Sequence, residues 1–201
     1  EFREYDRAIT TVMNAYVRPI MKRYLSRIED RLKADGVTAR LHIVRSDGGL
    51  MSAAAASERP VHTVLSGPAG GVTSTMMLSR RSGFSKLLAF DMGGTSTDVW
   101  VLIAGEATIS RSTTVGMFPA KVPTLDVSSA GAGGGSIADV SELTRSLRVG
   151  PRSAGARPGP VSYGRGGTEP TVSDANVVLG YLPPLLLGGE MTLDVDAARQ
   201  A

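Results

Sequence analysis

"FDMGGTSTDVW", residues 90–100, sets an aspartate and two adjacent glycines between two apolar runs. Phe90 follows Leu87, Leu88 and Ala89, and Val99 to Ile103 is β-branched and aromatic, so two strands are expected with the glycines where the chain reverses. A plain hairpin turn needs only one or two special residues. This one crowds Asp91, Thr95, Ser96, Thr97 and Asp98 around Gly93 and Gly94. Glycine lets backbone amides approach an anion closely and threonine adds a hydroxyl donor, so the turn reads as a phosphate cradle. Asp91, at a strand end and repelled by phosphate itself, suits the water shell of a magnesium ion that bridges phosphates.

Working outward, residues 86–110 read as a three-stranded meander with Gly105 and Glu106 in its second turn. Upstream, "VHTVLSGPAGGVTSTMMLSRRSGF" predicts a strand, a small-residue break and a helix. Ser66 is placed to cap that helix, Pro68 suits its first turn, Arg80 and Arg81 meet its negative end, and Gly83 stops it. Before that come a short strand, Leu41 to Arg45, a turn at Ser46–Gly49, and one or two helical turns over Met51–Ser57. Strands broken by helices and followed by a meander predict an α/β domain with a mixed sheet.

The chain opens on a long helical pattern. Tyr5, Ile9, Val12, Tyr16, Ile20, Tyr24 and Ile28 recur three or four apart as one apolar stripe, whose ordinary role is packing and which, without the surface it normally covers, is expected to be left for self-association or a missing domain. Pro19 should kink this helix and Gly36 end it. A helix starting so abruptly, without an initiator methionine, reads as a piece of a longer protein. The expected divisions are a long amphipathic helix (1–36), a strand-turn-helix segment (37–85) and a domain portion with Gly/Pro-rich loops (86–201).

At 201 residues and 42% hydrophobic content the chain can bury a real core. A formal charge of +3, spread among residues of both signs, gives no basic field for nucleic acid. The absence of cysteine removes disulfides and thiolate chemistry together and fits a reducing compartment. Nowhere do eighteen apolar residues run together, so neither a membrane span nor a signal core is expected, and the reading is cytoplasmic. His42 and His62 are the only histidines, and no Ser-His-Asp or H-E-x-x-H arrangement can be built on them.

Downstream, a short strand, Thr124–Val127, precedes "GAGGGS", residues 131–136. Its spacing begins like a dinucleotide-binding loop, but "IADVSELTRSLRVGP" is too short a helix and too soon extended for one. The loop is read either as flexible or as a backbone approach to a nucleotide or small substrate. "VGPRSAGARPGPVSYGRGGTEPTVSDA" is expected to be an ordered surface loop or lid. Helix resumes near Ser173 with Val177, Val178 and Tyr181 on one face, "PPLLLGGEM" breaks it, and "TLDVDAARQA" reads as the first turn of another.

Together "SGPAGGV" (66–72), "FDMGGTSTDV" (90–99), "GAGGGSIA" (131–138), "LRVGPRSAGARPGPVSYGRGGTEPTVSDAN" (147–176) and "LGGEMTLD" (187–194) resemble the hydantoinase/5-oxoprolinase family, in particular its N-methylhydantoinase A type subunit, over nearly the whole chain. The resemblance implies the middle portion of a longer chain. It implies the second, ribonuclease-H-like domain of an actin-like ATPase, preceded by a long helix and incomplete as a fold. ATP would lie on Gly93, Gly94, Thr95 and Ser96, with Gly133, Gly134, Gly135 and Ser136 further along the same cleft. Asp91 and Asp98 would be catalytic, and Asp91 and Asp126 would serve Mg2+. Where many members have histidine, Ser128 stands here, and Asp47 stands for the asparagine of "SNGG".

The implied reaction is ATP-dependent opening of a small cyclic amide of hydantoin or 5-oxoproline type, by phosphorylation of the amide oxygen. The alternatives are a subunit of an ATP-dependent ketone carboxylase or a truncated, non-catalytic binding fragment. The implied partner is a missing N-terminal domain or a partner subunit, in an oligomer. One hairpin leaves the phosphates half solvated, so the chain alone is expected to be inactive and to bind ATP weakly.

Overall fold

The computed structural model describes residues 2–201, a mixture of helices and short strands that divides into two compact units. One is built from the residues up to Ala89 together with Trp100–Val127, the other from Phe90–Val99 and Ser128–Ala201.

In the first unit, α1 (Glu4–Ala34) has Glu4 and Asp6 in its first turn and Arg31 and Lys33 in its last, both matched to the helix dipole. Helix continues through Pro19, and Gly36 follows the end at φ 75°. Most of the apolar stripe is uncovered. Tyr5, Val12, Tyr16, Ile20 and Tyr24 are exposed, Tyr16 by 79%, whereas Leu25 is buried and Ile9, Met13 and Ile28 are half-buried. The reason is a polar row at four-residue spacing. Asp6 pairs with Lys121 Nζ at 3.3 Å, Thr10 Oγ1 accepts from the Lys121 amide at 2.9 Å, Asn14 accepts from the Val61 amide and donates to the Glu58 carbonyl, and Arg18 pairs with the Glu58 carboxylate. Residues 6, 10, 14 and 18 lie along one helix face, and this row turns the aromatic stripe outward.

β1 (His42–Val44) and β2 (Leu50–Ser52) form an antiparallel hairpin whose turn is closed by the Gly49 amide donating to Asp47 Oδ1 at 3.1 Å. Met51 and Ser52 therefore belong to a strand, and α2 (Ala53–Glu58) starts one residue later under a Ser52 cap. The strand expected after Pro60 is instead a 3-10 turn, Pro60–Thr63. Pro60 removes a ladder donor, and the Val61 amide is taken by Asn14 while its side chain is buried with Ala120 and Val122. α3 (Ser66–Ser82) is preceded by Leu65 at φ 57° as the capping position, with no side-chain cap from Ser66, and ends at Gly83, φ 78°.

The meander is present as β3 (Leu87–Met92), β4 (Thr97–Ile103) and β5 (Glu106–Ala107). Its second turn is Ala104–Gly105, both at positive φ, while Glu106 pairs with Ile103 as the first residue of β5. Ala69 and Val72 of α3 pack on Trp100, Leu102 and Leu125, and a Cβ on Gly71 would sit 3.0 Å from the Trp100 ring. β6 (Ile109–Ser110) pairs with β9 (Thr124–Leu125), which is shorter than the strand expected there, and β7 (Thr113–Val115) pairs with β8 (Phe118–Ala120).

In the second unit, β10 (Ser128–Ala130) pairs with Thr97–Val99. β11 (Ser136–Val140) and β12 (Leu147–Ser153) form a hairpin through the stretch read as an aborted helix. α4 (Val172–Val178) is fixed by a capping box between Thr171 and Asp174. β13 (Leu185–Leu186) pairs with β14 (Met191–Thr192), and α5 (Val195–Gln200) is capped by Asp194. Val177, Leu193 and Ala198 form the core, while Val178 and Tyr181 are exposed rather than sharing the face of Val177.

The ladders β1–β2, β4–β10, β4–β5, β6–β9, β7–β8, β11–β12 and β13–β14 all run antiparallel. The parallel pairing that a mixed sheet needs is not among them. Among the described residues no helix crosses between strands paired in parallel in these ladders.

Candidate functional site

The hairpin tip Phe90–Val99 lies wholly in the second unit. β3 ends at Met92, the Gly93 amide donates to the Ser96 carbonyl at 2.9 Å, and β4 begins at Thr97, so the tip is a closed four-residue turn. Neither Gly93 nor Gly94 has positive φ, and a Cβ on Gly94 would meet nothing within 4 Å. The fold itself does not require glycine at 94. Gly94 and Thr95 are exposed residues, and among the described residues their amides make no hydrogen bond.

The loop 131–136 lies directly against this turn. The Gly134 amide donates to the Gly93 carbonyl at 2.9 Å and the Gly135 amide to the Gly94 carbonyl at 2.6 Å, while Thr97 Oγ1 donates to the Ala132 carbonyl. Gly133 packs so closely that a Cβ there would lie 2.7 Å from Thr95 N, Thr95 C and Ser96 N. The Gly133 amide is taken by Ser136 Oγ at 2.8 Å, and Ser136 is buried. The donors of residues 133–135 are thus committed within the protein, and two of them fix the hairpin carbonyls from behind. Two functions expected in sequence to be side by side, hairpin and glycine loop, are in physical contact, with the loop as the support.

The support continues inward. The Gly134 carbonyl accepts from the Ser173 amide at 2.7 Å at the start of α4, and the Gly135 carbonyl from Ala154 at 2.8 Å. Behind these, Asp174 is 1% exposed and accepts from the Val161, Ser162 and Thr171 amides and from Thr171 Oγ1, at 2.8 to 3.1 Å. Burial would raise its pKa, but the hydrogen bonds from Ser162 and Thr171 outweigh burial and hold the carboxyl below its usual value. Sequence reasoning passed over Asp174 and Thr171 as site residues, although T-x-x-D ahead of an apolar pair is a legible capping signal.

The carboxylates separate into different settings. Asp91 is exposed at the end of β3, with no side-chain hydrogen bond or ion pair among the described residues. Asp98 accepts from Ser129 Oγ on the neighbouring β10. Asp126 belongs to the first unit, where its amide donates to the Thr108 carbonyl at 2.9 Å and its side chain is exposed. No three Asp, Glu or His side chains among the described residues converge as a ready metal cage. A magnesium ion does not need one, since a single carboxylate with waters and substrate phosphates suffices.

The sequence model of the family described as Hydantoinase/oxoprolinase matches residues 7–201. The chain belongs to that family. All of it aligns at 42% identity with the caprolactamase subunit alpha of Pseudomonas jessenii, of which it spans 29%, and 99% of it at 38% identity with 5-oxoprolinase 1 of Arabidopsis thaliana, of which it spans 16%. Among solved structures, nucleotide-free acetone carboxylase, described for its ATP-dependent acetone carboxylation, superposes on the whole chain with a TM-score of 0.82 at 32% identity, over 28% of its own length. The hydantoinase/oxoprolinase family thus includes both amide hydrolases and ketone carboxylases. No helix among the described residues is long and apolar enough to cross a membrane.

Proposed function

We propose that this chain supplies a phosphate-gripping hairpin of an ATP-dependent enzyme that opens a small cyclic amide. The observation that carries the reading is the pair of amides on the exposed residues Gly94 and Thr95 that make no hydrogen bond among the described residues, on a turn whose second glycine has open space around it. Glycine is needed there by whatever approaches from outside. Consecutive unpaired amides offer partial positive charge to an anion, and the Gly134 and Gly135 amides hold the turn rigid by its carbonyls, so binding needs little reorganisation. Asp91 would hold Mg2+ through water, and the bound ion would supply charge neutralisation at the phosphates. Asp98, steadied by Ser129, lies on the facing strand of the same hairpin as a second carboxylate for orienting water or proton.

With the phosphates fixed, the amide oxygen attacks the terminal phosphorus and ADP leaves. The ring carbon, no longer stabilised by donation into a free carbonyl, is open to water; one water adds, the adduct expels the ring nitrogen, which takes up a proton, to leave an acyl phosphate, and a second water cleaves that to the carboxylate and inorganic phosphate. We place this hairpin in the second ribonuclease-H-like domain of an actin-like ATPase, with an opposed hairpin from another domain or subunit closing the cleft. The likeness to acetone carboxylase favours a second reading, in which the same oxygen phosphorylation activates a ketone for carboxylation.

Asp91→Asn in the protein as its gene encodes it is expected to lower ATP turnover about 100-fold or more while moving the melting temperature by less than about 2 °C, because charge changes and volume does not. Unchanged turnover sinks the assignment. ADP release stimulated by lactams and not by acetone with bicarbonate selects the hydrolase, and the reverse selects the carboxylase.

A further inference from the structure

A cavity of about 700 Å³ opens in the first unit, where the end of α1 meets the β1–β2 hairpin and the start of α2. Its floor is apolar, with Leu32 in the last turn of α1, Val37 just beyond that helix and Leu41 leading into β1. The α1 carbonyls of Arg31, Leu32 and Lys33 are taken by the Asp35, Val37 and Gly36 amides, so the helix end offers few bare acceptors to repel an anion.

The rim carries charge that the chain leaves unpaired. Lys33 and Arg40 make no ion pair and no side-chain hydrogen bond among the described residues, and His42, opposite Ser52 in the β1–β2 register, sets an imidazole beside a hydroxyl. Lys22, Arg23 and Arg27, on the preceding turns of α1, are in no ion pair either, so the local field is positive. Glu29 is the exception, an unpaired carboxylate on the same rim.

One ligand has to meet all three surfaces. Two cations and an imidazole match a phosphate dianion, whose oxygens a guanidinium can meet in parallel. Glu29 repels that dianion and only accepts hydrogen bonds, so the ligand must present hydroxyl donors away from its phosphate. The floor calls for a compact apolar body. An alkyl phosphate lacks the hydroxyls and a sugar phosphate lacks the apolar body, whereas a nucleoside monophosphate has all three parts. A magnesium-bound triphosphate brings more charge than two cations balance.

We propose that the first unit binds a nucleoside monophosphate in this cavity, with its base on Leu32, Val37 and Leu41, its ribose hydroxyls donating to Glu29 and its phosphate on Lys33 and Arg40. The inference stands on the first unit alone and does not depend on the hairpin reading, since the residues of that turn belong to the second unit.

The test is lysine acetylation read by mass spectrometry in the protein as its gene encodes it. Lys22, Lys33, Lys86 and Lys121 are the lysines of this chain and none lies in the second unit, so a ligand at the hairpin covers none of them directly. With AMP at about ten times its dissociation constant, Lys33 should react about tenfold more slowly while Lys86 and Lys121 keep their rates. Adenosine, inorganic phosphate, hexyl phosphate and a magnesium-bound, non-hydrolysable ATP analogue at the same concentration should each protect Lys33 only about twofold, since losing one charge-assisted contact lowers affinity about tenfold. Arg40→Gln should reduce protection by AMP to the same level and Arg40→Lys should restore part of it. Neither should move the melting temperature or ATP turnover, because Arg40 is exposed and lies outside the hairpin. Equal protection of all the lysines, protection by any of the four other probes matching that by AMP, or protection that survives Arg40→Gln each overturns the proposal.

Discussion

The two halves of β4 are consecutive along one strand and are held by different forces. Trp100 and Leu102 are buried against Ala69, Val72 and Leu125, with the indole N–H on Thr75 Oγ1 at 3.2 Å and Gly71 giving the ring room. Thr97–Val99 and the turn before them have little apolar burial and are fixed by hydrogen bonds from Thr97 to Ala132 and from the Gly134 and Gly135 amides. Apolar burial is non-directional, so the Trp100 half tolerates imprecise geometry but depends on volume. Hydrogen bonds between backbones are directional, so the tip depends on position.

That contrast can be broken in order of expected size. Trp100→Ala should lose about 3–5 kcal/mol in chemical denaturation, the usual cost of emptying an aromatic core site. If the contrast is sound, phosphate binding measured well below the midpoint of unfolding is preserved. Gly133→Ala forces a methyl into Thr95 and Ser96 backbone and is expected to cost about 1–3 kcal/mol with at least tenfold weaker nucleotide binding. Its control is Gly94→Ala, which meets no atom in the fold and should leave stability within about 0.5 kcal/mol while still weakening nucleotide binding. Equal losses in stability for the two glycine variants would refute the support role of the loop.

Asp174→Asn sharpens the comparison further, because it acts behind the loop without touching the tip. It should cost about 1–3 kcal/mol, since an amide cannot accept the same set of amide and hydroxyl donors. The Asp174 pKa is lowered on folding. Its contribution is therefore present above the unfolded carboxyl value and is lost as pH falls through the folded one, so the variant should flatten the acid limb of the stability curve. The smallest effect concerns His62 in the first unit, whose pKa is lowered by burial and by Arg45 and Arg59. The unfolded chain takes up that proton first. Stability should therefore decline slightly as pH drops from 7 through the ordinary histidine range, and His62→Gln should remove that slope in pH-dependent melting.

What was legible in sequence shares a property. The turn at Gly93–Gly94, the stop at Gly83 and the Gly49 end of the β1–β2 turn are satisfied by partners within a few residues, so residue type at fixed spacing reveals them. The motifs in their order likewise identified the family, which the match over residues 7–201 bears out. The 3-10 turn at Pro60 and the hairpin β11–β12 were missed because neither carries a periodic signal long enough to compete with its neighbours.

By itself, then, the sequence determined the family, the meander and the local turns. Only the tertiary structure decided which side of α1 faces inward and what the glycine loop does. The helix stripe is apolar at helical spacing, but the polar row Asp6, Thr10, Asn14 and Arg18 finds its partners at Glu58, Val61 and Lys121, forty or more positions away. The glycines of 131–136 are read from sequence as either a flexible loop or a backbone approach to a ligand; in the structure the backbone of residues 93–96 lies against them. Glycine reports that something comes near, and periodicity reports that a face is apolar. Neither names the partner, which is fixed when distant segments meet.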